Sequence, residues 1–492
     1  MTIVNSFLTL LAAAFAAVFF FFLATIIQTL LRDPLRNIPG PWYARFTNLR
    51  LKLAVVTGTR IYYVHSIHEL YGQVVRISPN EVAVNDVHAF KQIHRVGSGF
   101  NKSPWYAEFN SGQAGVFAMS DPKQHAQRRR FFAKSFSKSF LRQHWEPLVL
   151  QKVQTAIRQI RAAGKNGTTV DVMKWWMFMA TDVSTHLMFG ESFQTLESGE
   201  KSSYTRMLET TLKGSGIAVE LPMVAKILKR LPIDATKQMF NANLLLLEYG
   251  RTAVRNSRAT GSKANIFASM IAEADNDESS QLTELDVSLE ATNLIIAGAD
   301  TTGITLTYLT WAVLERPELR RQLEHEVKDI GDAPSDEDLE KLPLLNAVVE
   351  ETLRLYGAAP GGLPRVVPPG GAILAGFYIP GDTTVTTQAY SMHRDANNFT
   401  SPDSFNPSRW LSKETMEMSE AAKIAYYPFG AGARICLGIH LARMELRLAA
   451  ALFFKEFTGA NIAPSMSPSD MEMENYFLVA PKNHKCEILL HN

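Results

Sequence analysis

The chain opens on a long apolar run. From Phe7 to Ile27 only Thr9 and Thr25 interrupt it. About 20 such residues, wound as a helix, are long enough to cross the hydrocarbon core of a bilayer. A cleaved secretory leader is the competing reading. It calls for a basic start, a shorter apolar stretch and a small-residue cleavage site. Here no Lys or Arg precedes the run, while Arg32 and Arg36 follow it. Positive charge on that flank orients it toward the cytoplasm. The pattern predicts a single-pass membrane anchor over 1–31. Pro39-Gly40-Pro41 predicts a stiff, extended hinge within 32–45, an ordinary loop being the alternative, because proline fixes φ and removes a donor. Residues 46–492 are left for a large globular part.

Within that part, polar stretches at Ala163–Thr168, Glu197–Ser203, Arg258–Ala264 and Ala274–Gln281 separate segments of helical spacing. Val74–Ile77 and Glu81–Val84, joined by Ser78-Pro79-Asn80, predict a hairpin. Alternation returns at Phe377–Ile379 and Thr383–Thr387, with Pro380-Gly381 at the turn. No βαβ pattern recurs, so the fold class is mainly α with a minor antiparallel β part. One helix stands out. Leu285 to Glu315 contains no proline, and Pro317 closes it. Its middle, Leu294–Thr307, is apolar on all faces except for Asp300 and several threonines, which predicts burial at the centre of the domain. Gly298 and Gly303 weaken it there, and a buried carboxylate is costly unless paired. Either the helix opens locally beside a cavity, or these are packing glycines and a cap-like Asp.

Composition narrows the classes. Apolar residues make up 46% and charged residues 20%, which is globular and not disordered. A formal charge of +2, with no dense basic run, excludes nucleic acid as a partner. Two cysteines, Cys436 and Cys486, are too few for a disulfide framework and fit a reducing, cytosol-facing location.

The neighbourhood of Cys436 is distinctive. Phe429-Gly430-Ala431-Gly432-Ala433-Arg434-Ile435-Cys436-Leu437-Gly438 combines three glycines, which allow tight turns and close approach to a flat ligand, with an arginine suited to a carboxylate. Helical spacing follows from His440 to Phe454, so a helix N-terminus points toward the thiol. A structural core cysteine in a glycine-rich loop is the alternative.

These residues resemble the haem-binding loop F-x-x-G-x-R-x-C-x-G of the cytochrome P-450 superfamily, and the resemblance covers essentially the whole chain. It implies the P-450 fold, a triangular haem-thiolate prism, with Cys436 as the iron ligand and Phe429, Gly430 and Arg434 at the cofactor. The family's E-x-x-R is matched at Glu351-Thr352-Leu353-Arg354. Phe405-Asn406-Pro407-Ser408-Arg409-Trp410 resembles the segment whose arginine completes a Glu-Arg-Arg network, so Glu351, Arg354 and Arg409 are expected to support the haem site structurally. Ala297-Gly298-Ala299-Asp300-Thr301-Thr302 matches the family's (A/G)-G-x-(D/E)-T-(T/S). The resemblance implies that Thr301 hydrogen-bonds dioxygen and that Asp300 helps relay protons to it. His125-Ala126-Gln127-Arg128-Arg129 resembles W-x-x-x-R, with His125 in place of the usual tryptophan. That assigns His125 and Arg129 to a haem propionate and leaves Arg128 and Arg130 on a solvated face. Arg365, in Leu363-Pro364-Arg365, matches another propionate-binding arginine.

The resemblance further implies haem b (iron protoporphyrin IX), dioxygen as co-substrate, and electrons from NADPH through NADPH-cytochrome P-450 reductase, with cytochrome b5 as a second donor. It places a catalytic domain, 46–492, on the cytoplasmic face of the endoplasmic reticulum. The segments Trp105–Phe117, Gly214–Met223, Leu294–Thr302, Ala358–Leu363 and Tyr476–Val479 are expected to line the substrate pocket, with Gly361-Gly362 leaving space above the haem. Their apolar character implies a hydrophobic substrate. Leu355–Arg365 and Pro369-Gly370-Gly371 look like filamentous-fungal enzymes that oxidise terpenoid or polyketide secondary metabolites. A haem-thiolate desaturase, epoxidase or ring-rearranging enzyme is the alternative, and a non-oxygenating isomerase or haem sensor is disfavoured by the Asp300-Thr301 pair.

Overall fold

The computed structural model describes residues 33–109, 115–202, 219–231, 283–411 and 418–491, together with scattered positions between them and within 13–32. Helices dominate. Those that build the interior are α1 (Val87–His94), α2 (Pro122–Ala133), α3 (Glu146–Ala163), α4 (Val172–Phe189), α5 (Glu284–Leu314), α6 (Pro343–Tyr356) and α7 (Ile439–Glu456).

The long helix α5 spans 31 residues and runs through the middle of the main hydrophobic core. It starts on a capping box in which Thr283 and Asp286 exchange side-chain-to-backbone hydrogen bonds. Most of its threonines are buried without being stranded. Thr301, Thr305, Thr307 and Thr310 each donate a hydroxyl to the carbonyl four residues earlier, at 2.6–2.8 Å. Helices α4, α6 and α7 pack around α5, and α3 backs α4 and α7.

The helix does not open at its glycines. A Cβ on Gly298 would collide with the Ser184 hydroxyl, and one on Gly303 with Met177, both on α4. These glycines let two helices approach closely, and Trp176 Nε1 crosses the seam to Thr310 Oγ1 at 3.1 Å. Of the two sequence readings for Gly298 and Gly303, packing is the one observed.

The largest sheet contains β1 (Val74–Ser78), β2 (Glu81–Val84), β3 (Asn101–Lys102), β4 (Arg365–Val366) and β5 (Thr384–Thr386), in the order β1-β2-β5-β4-β3. The predicted hairpin is present, with Ser78 opposite Glu81. One expectation is qualified. The β part is mostly antiparallel, but β2 and β5 pair in parallel. Phe377–Ile379 and Thr384–Thr386 are both strands, as expected, and Phe377–Ile379 pairs with Ala372–Leu374. The turn at Pro380-Gly381 therefore passes the chain between sheets.

The proline stretch is docked, not free. Arg76 N–H of β1 donates to Pro39 O at 2.7 Å, and Arg76 Nη1 pairs with buried Asp33 at 2.5 Å. Most of the apolar run Phe7–Ile27 lies outside the described residues. The described positions within 13–32 are helical, and Phe15, Phe20, Phe21 and Leu31 stand exposed there. Among the described residues no helix is long and apolar enough to cross a membrane.

Candidate active site

The loop Phe429–Gly438 turns back on itself, and Cys436 N–H closes it on Phe429 O at 2.8 Å. Gly430 and Gly432 hold φ of 73° and 62°, a left-handed backbone that side chains resist. Gly432 also lies against the His94 carbonyl at the end of α1, where a Cβ would overlap it. The glycine spacing thus serves the loop's own turn and its seat on α1. Cys436 is accessible although protein surrounds it, as a thiol facing a recess would be. Burial pushes that thiol up, while the Gly438 N–H and the nearby Arg129 charge pull it down. Gly438 caps α7, so Cys436 sits two residues before a helix N-terminus.

Behind this loop lies a sealed charge network. Glu351 and Arg354 on α6 are buried and joined by two contacts of 2.8 Å, Arg354 Nε to Oε2 and Nη2 to Oε1. Arg409 Nε reaches Oε1 at 3.1 Å, and Trp410 Nε1 and Asn406 N–H fill the remaining acceptor positions at 2.9 and 2.8 Å. The remaining arginine donors go to the carbonyls of His393, Thr400, Ser401, Pro402 and Ser404. The structure brings all three predicted members together. It adds His393, which the motif search missed. Burial holds this imidazole down to about 3. Its Nδ1–H donates to Arg354 O at 2.9 Å, and Nε2 accepts from Tyr427 N–H at 3.1 Å. One neutral ring thus joins the network to the strand of chain that enters the cysteine loop.

A second group of charges is built differently. Lys102, Arg129, Arg365 and Arg434 converge, with His125 among them. Among the described residues none of these four cations forms an ion pair with a carboxylate. Lys102 and Arg365 occupy directly opposed positions of the antiparallel β3–β4 pair, and both are buried. Like charges placed that way repel. Burial, then Arg365, Arg434 and Arg129, depress the Lys102 amine well below its usual range. Burial and the same cations push His125 down to about 3, and burial lowers Arg434 to about 10. A concentration of buried and half-buried positive charge without a carboxylate partner fits a dianionic ligand such as the two propionates of haem. Lys102 was not anticipated; its only signal was a lysine in a two-residue strand that pairs with the strand of Arg365.

Arg434 spends two donors on the Met119 and Ser120 carbonyls, at 2.8 and 3.0 Å, so it also holds the segment leading into α2. Arg128 departs from expectation. It is not on a solvated face but reaches α5, pairing with Asp286 at 2.8 Å and Glu290 at 3.1 Å. Arg130 is exposed on α2, as expected, and packs 6.0 Å from the Phe131 ring centroid.

On α5, Ala297 is exposed and Thr301 half-buried, although 302–310 is buried throughout. The helix stays closed, but its face at Ala297 and Thr301 is left uncovered. Thr301 Oγ1 lies 2.6 Å from the Ala297 carbonyl, to which it donates. Asp300 is half-buried and partnered. Of the expected pocket segments, 110–114 and 214–218 lie outside the described residues. Trp105, Tyr106, Phe117 and Phe477 form a chain of ring contacts with centroids 5.1–6.0 Å apart. Val479 N–H binds Ala358 O at 2.9 Å, which joins two expected walls. Among the described residues Gly361 meets only Asn475, at 3.8 Å from a would-be Cβ. Gly362 does not leave open space: a Cβ there would strike the Thr386 hydroxyl.

The cytochrome P450 family model matches residues 39–488. A cytochrome P450 monooxygenase, cypX, of Dothistroma septosporum is 40% identical over 98% of this chain and 96% of its own. The cytochrome P450 monooxygenase aflV of Aspergillus parasiticus is 40% identical over 94% of this chain and 93% of its own. A methylphloroacetophenone oxidase of Cladonia uncialis is 33% identical over 75% of this chain and 84% of its own. The chain belongs to the cytochrome P450 family, as a monooxygenase. Its members work with haem, dioxygen, electrons from a redox partner and a small-molecule substrate.

Proposed function

We propose that this monooxygenase hydroxylates or otherwise oxidises a hydrophobic polyketide or terpenoid in fungal secondary metabolism, with electrons from NADPH delivered by a membrane-bound reductase. The observation that carries the reading is an accessible thiol beside four cations without carboxylate partners, two of them, Lys102 and Arg365, buried and two, Arg129 and Arg434, half-buried. In this reading Cys436 ligates the iron through Sγ. The Gly438 N–H and Arg129 stabilise its negative charge. Lys102, Arg129, Arg365, Arg434 and His125 hold the propionates. Bound haem supplies oxygen activation, favoured by electron donation from the thiolate. Asp300 passes a proton along α5, and the Thr301 hydroxyl leaves the Ala297 carbonyl to hand it into the cleft. The aromatic chain Trp105–Phe117–Phe477 and the turn at Ala358 exclude water and orient an apolar substrate.

The kinship with cypX, aflV and the methylphloroacetophenone oxidase supports a fungal biosynthetic setting and an aromatic substrate among the candidates. The exposed Phe15, Phe20, Phe21 and Leu31 support an anchor, since such side chains are costly in water and stable in lipid. The anchored enzyme would face the cytoplasm from the endoplasmic reticulum, where the reductase and cytochrome b5 could reach it.

One preparation tests these points. The full-length protein, reduced and exposed to carbon monoxide, should show the absorption of a thiolate-ligated haem and sediment with membranes. A histidine-type spectrum would remove Cys436 from the iron. Tight sedimentation after deletion of Met1–Leu31 would remove that segment as the sole anchor. Deleting the gene in its host and identifying the metabolite that accumulates names the substrate; no accumulation would remove the biosynthetic role.

A further inference from the structure

The segment 115–120 is a strap between the oxygen-facing helix and the cation cluster. Three charged side chains grip its backbone. Glu290 Oε1 on α5 accepts the Val116 N–H at 2.8 Å. Lys102 Nζ donates to Phe117 O. Arg434 donates to Met119 O and Ser120 O. The cations belong to the cofactor side, so Glu290 is the tie on the other side. It is fully buried, and Arg128 of α2 reaches the same oxygen at 3.1 Å. The other oxygen, Oε2, is buried and has no partner among the described residues, as has Asn293 Nδ2 one turn on. Both face Gly115, where any side chain would collide with the Asn293 amide. Glu290, Asn293, Ala297 and Thr301 recur at spacings of three and four, so they share one face of α5.

We propose that Glu290 is a positioning residue: its carboxylate pins the 115–120 strap to α5 and so sets the cleft between Ala297–Thr301 and the cation cluster. The proposal rests on the cleft assignment above, but its first test reads the strap itself. Two properties follow from the geometry. Because Oε1 carries both bonds and Oε2 none, a proton added to Glu290 goes to Oε2. Burial raises the group to about 7, against the pull of Arg128 and the Val116 N–H. The charged groups that face it are Arg128 on α2 and Asp286 on α5; the strap contributes no titratable side chain between 115 and 120. Ionised Glu290 accepts charge-assisted hydrogen bonds, which are stronger than those to the neutral acid. The grip on the strap therefore tightens as pH rises through neutrality.

Hydrogen–deuterium exchange on the full-length holoenzyme tests this at about pH 6 and about pH 8, either side of the carboxyl's value and corrected for intrinsic rates. In the native protein, peptides covering 115–120 should gain protection at the higher pH. Glu290→Ala should exchange there roughly tenfold faster or more at both, the loss of one charged hydrogen bond. Glu290→Gln keeps the acceptor and shape, and its protection should not respond to pH. Affinity for phenylimidazole, which must fit the cleft, should fall in Glu290→Ala, while affinity for imidazole alone stays unchanged. Native-like protection of the strap in Glu290→Ala, or a native pH response in Glu290→Gln, would overturn the proposal. If the strap loosens but both azoles bind as in the native protein, Glu290 holds the strap and the cleft assignment fails.

Discussion

Two buried charge clusters flank the cysteine loop, and they are opposites. Around Glu351 one carboxylate is shared by two arginines, and the arginine nitrogens find that carboxylate or a carbonyl. Around Lys102, Arg129, Arg365 and Arg434 the charges have one sign and face one another. The first cluster is complete within the polypeptide. The second is favourable only with an anion supplied from outside. A satisfied buried network marks structure, and an uncompensated one marks a ligand.

The comparison breaks most visibly at Glu351. Glu351→Ala strands Arg354 and Arg409 in the interior, at a cost of about 3–5 kcal/mol. Folded protein should be largely lost, as read by thermal unfolding and soluble yield. If Glu351→Ala unfolds like the native protein, the network is not the structural one.

Lys102→Met should act with the opposite sign. Removing one of several repelling buried cations leaves the haem-free protein as stable as the native or more so. The haem-loaded protein should release its cofactor roughly tenfold faster or more, for the loss of one charged contact. Haem transfer to an apo-globin acceptor and unfolding of both forms measure the two halves. A haem-free variant that is clearly less stable than the native would place Lys102 in the structural class.

The smallest effect is on pH dependence. His94, His125 and His393 are each held down to about 3, chiefly by burial, against 6.5 when unfolded. The unfolded chain therefore binds more protons between these values. The stability they contribute is present above 6.5 and lost as pH falls toward 3. Glu290, raised to about 7, works the other way between 4.5 and its own value, where the folded state holds the extra proton. An anion beside His125 favours its protonated form, so haem loading should flatten the acid limb of the stability curve. Equal acid limbs with and without haem would separate His125 from the propionates.

Much of this was legible along the chain. The hairpin at Val74–Val84, the span of α5 and the turn around Cys436 follow from local pattern: a period of two, a period of 3.6, and glycine where φ must be positive. Glu351, Arg354 and Arg409 were named in advance because their motif brings its own spacing. What escaped the sequence depends on which segments meet. The alternation marked Phe377–Ile379 and Thr383–Thr387 as strands without saying which strands they join. The observed partners were chosen by sheets that local alternation does not encode. Gly362 suggested space, and at Gly298 and Gly303 the sequence left space or packing open, but each is filled by another element.

The sequence by itself determined the cysteine, the turn that presents it, the central helix and the acid–alcohol pair upon it. These depend on backbone conformation and on residues a few positions apart. Only the tertiary structure decided that Lys102 stands across from Arg365, that Arg128 turns inward to Glu290, and that His393 joins Arg354 to Tyr427. A charged side chain on the surface is nearly neutral in energy. The same side chain in the interior must find a partner, and which partner it finds is set by elements distant in sequence that fold against it.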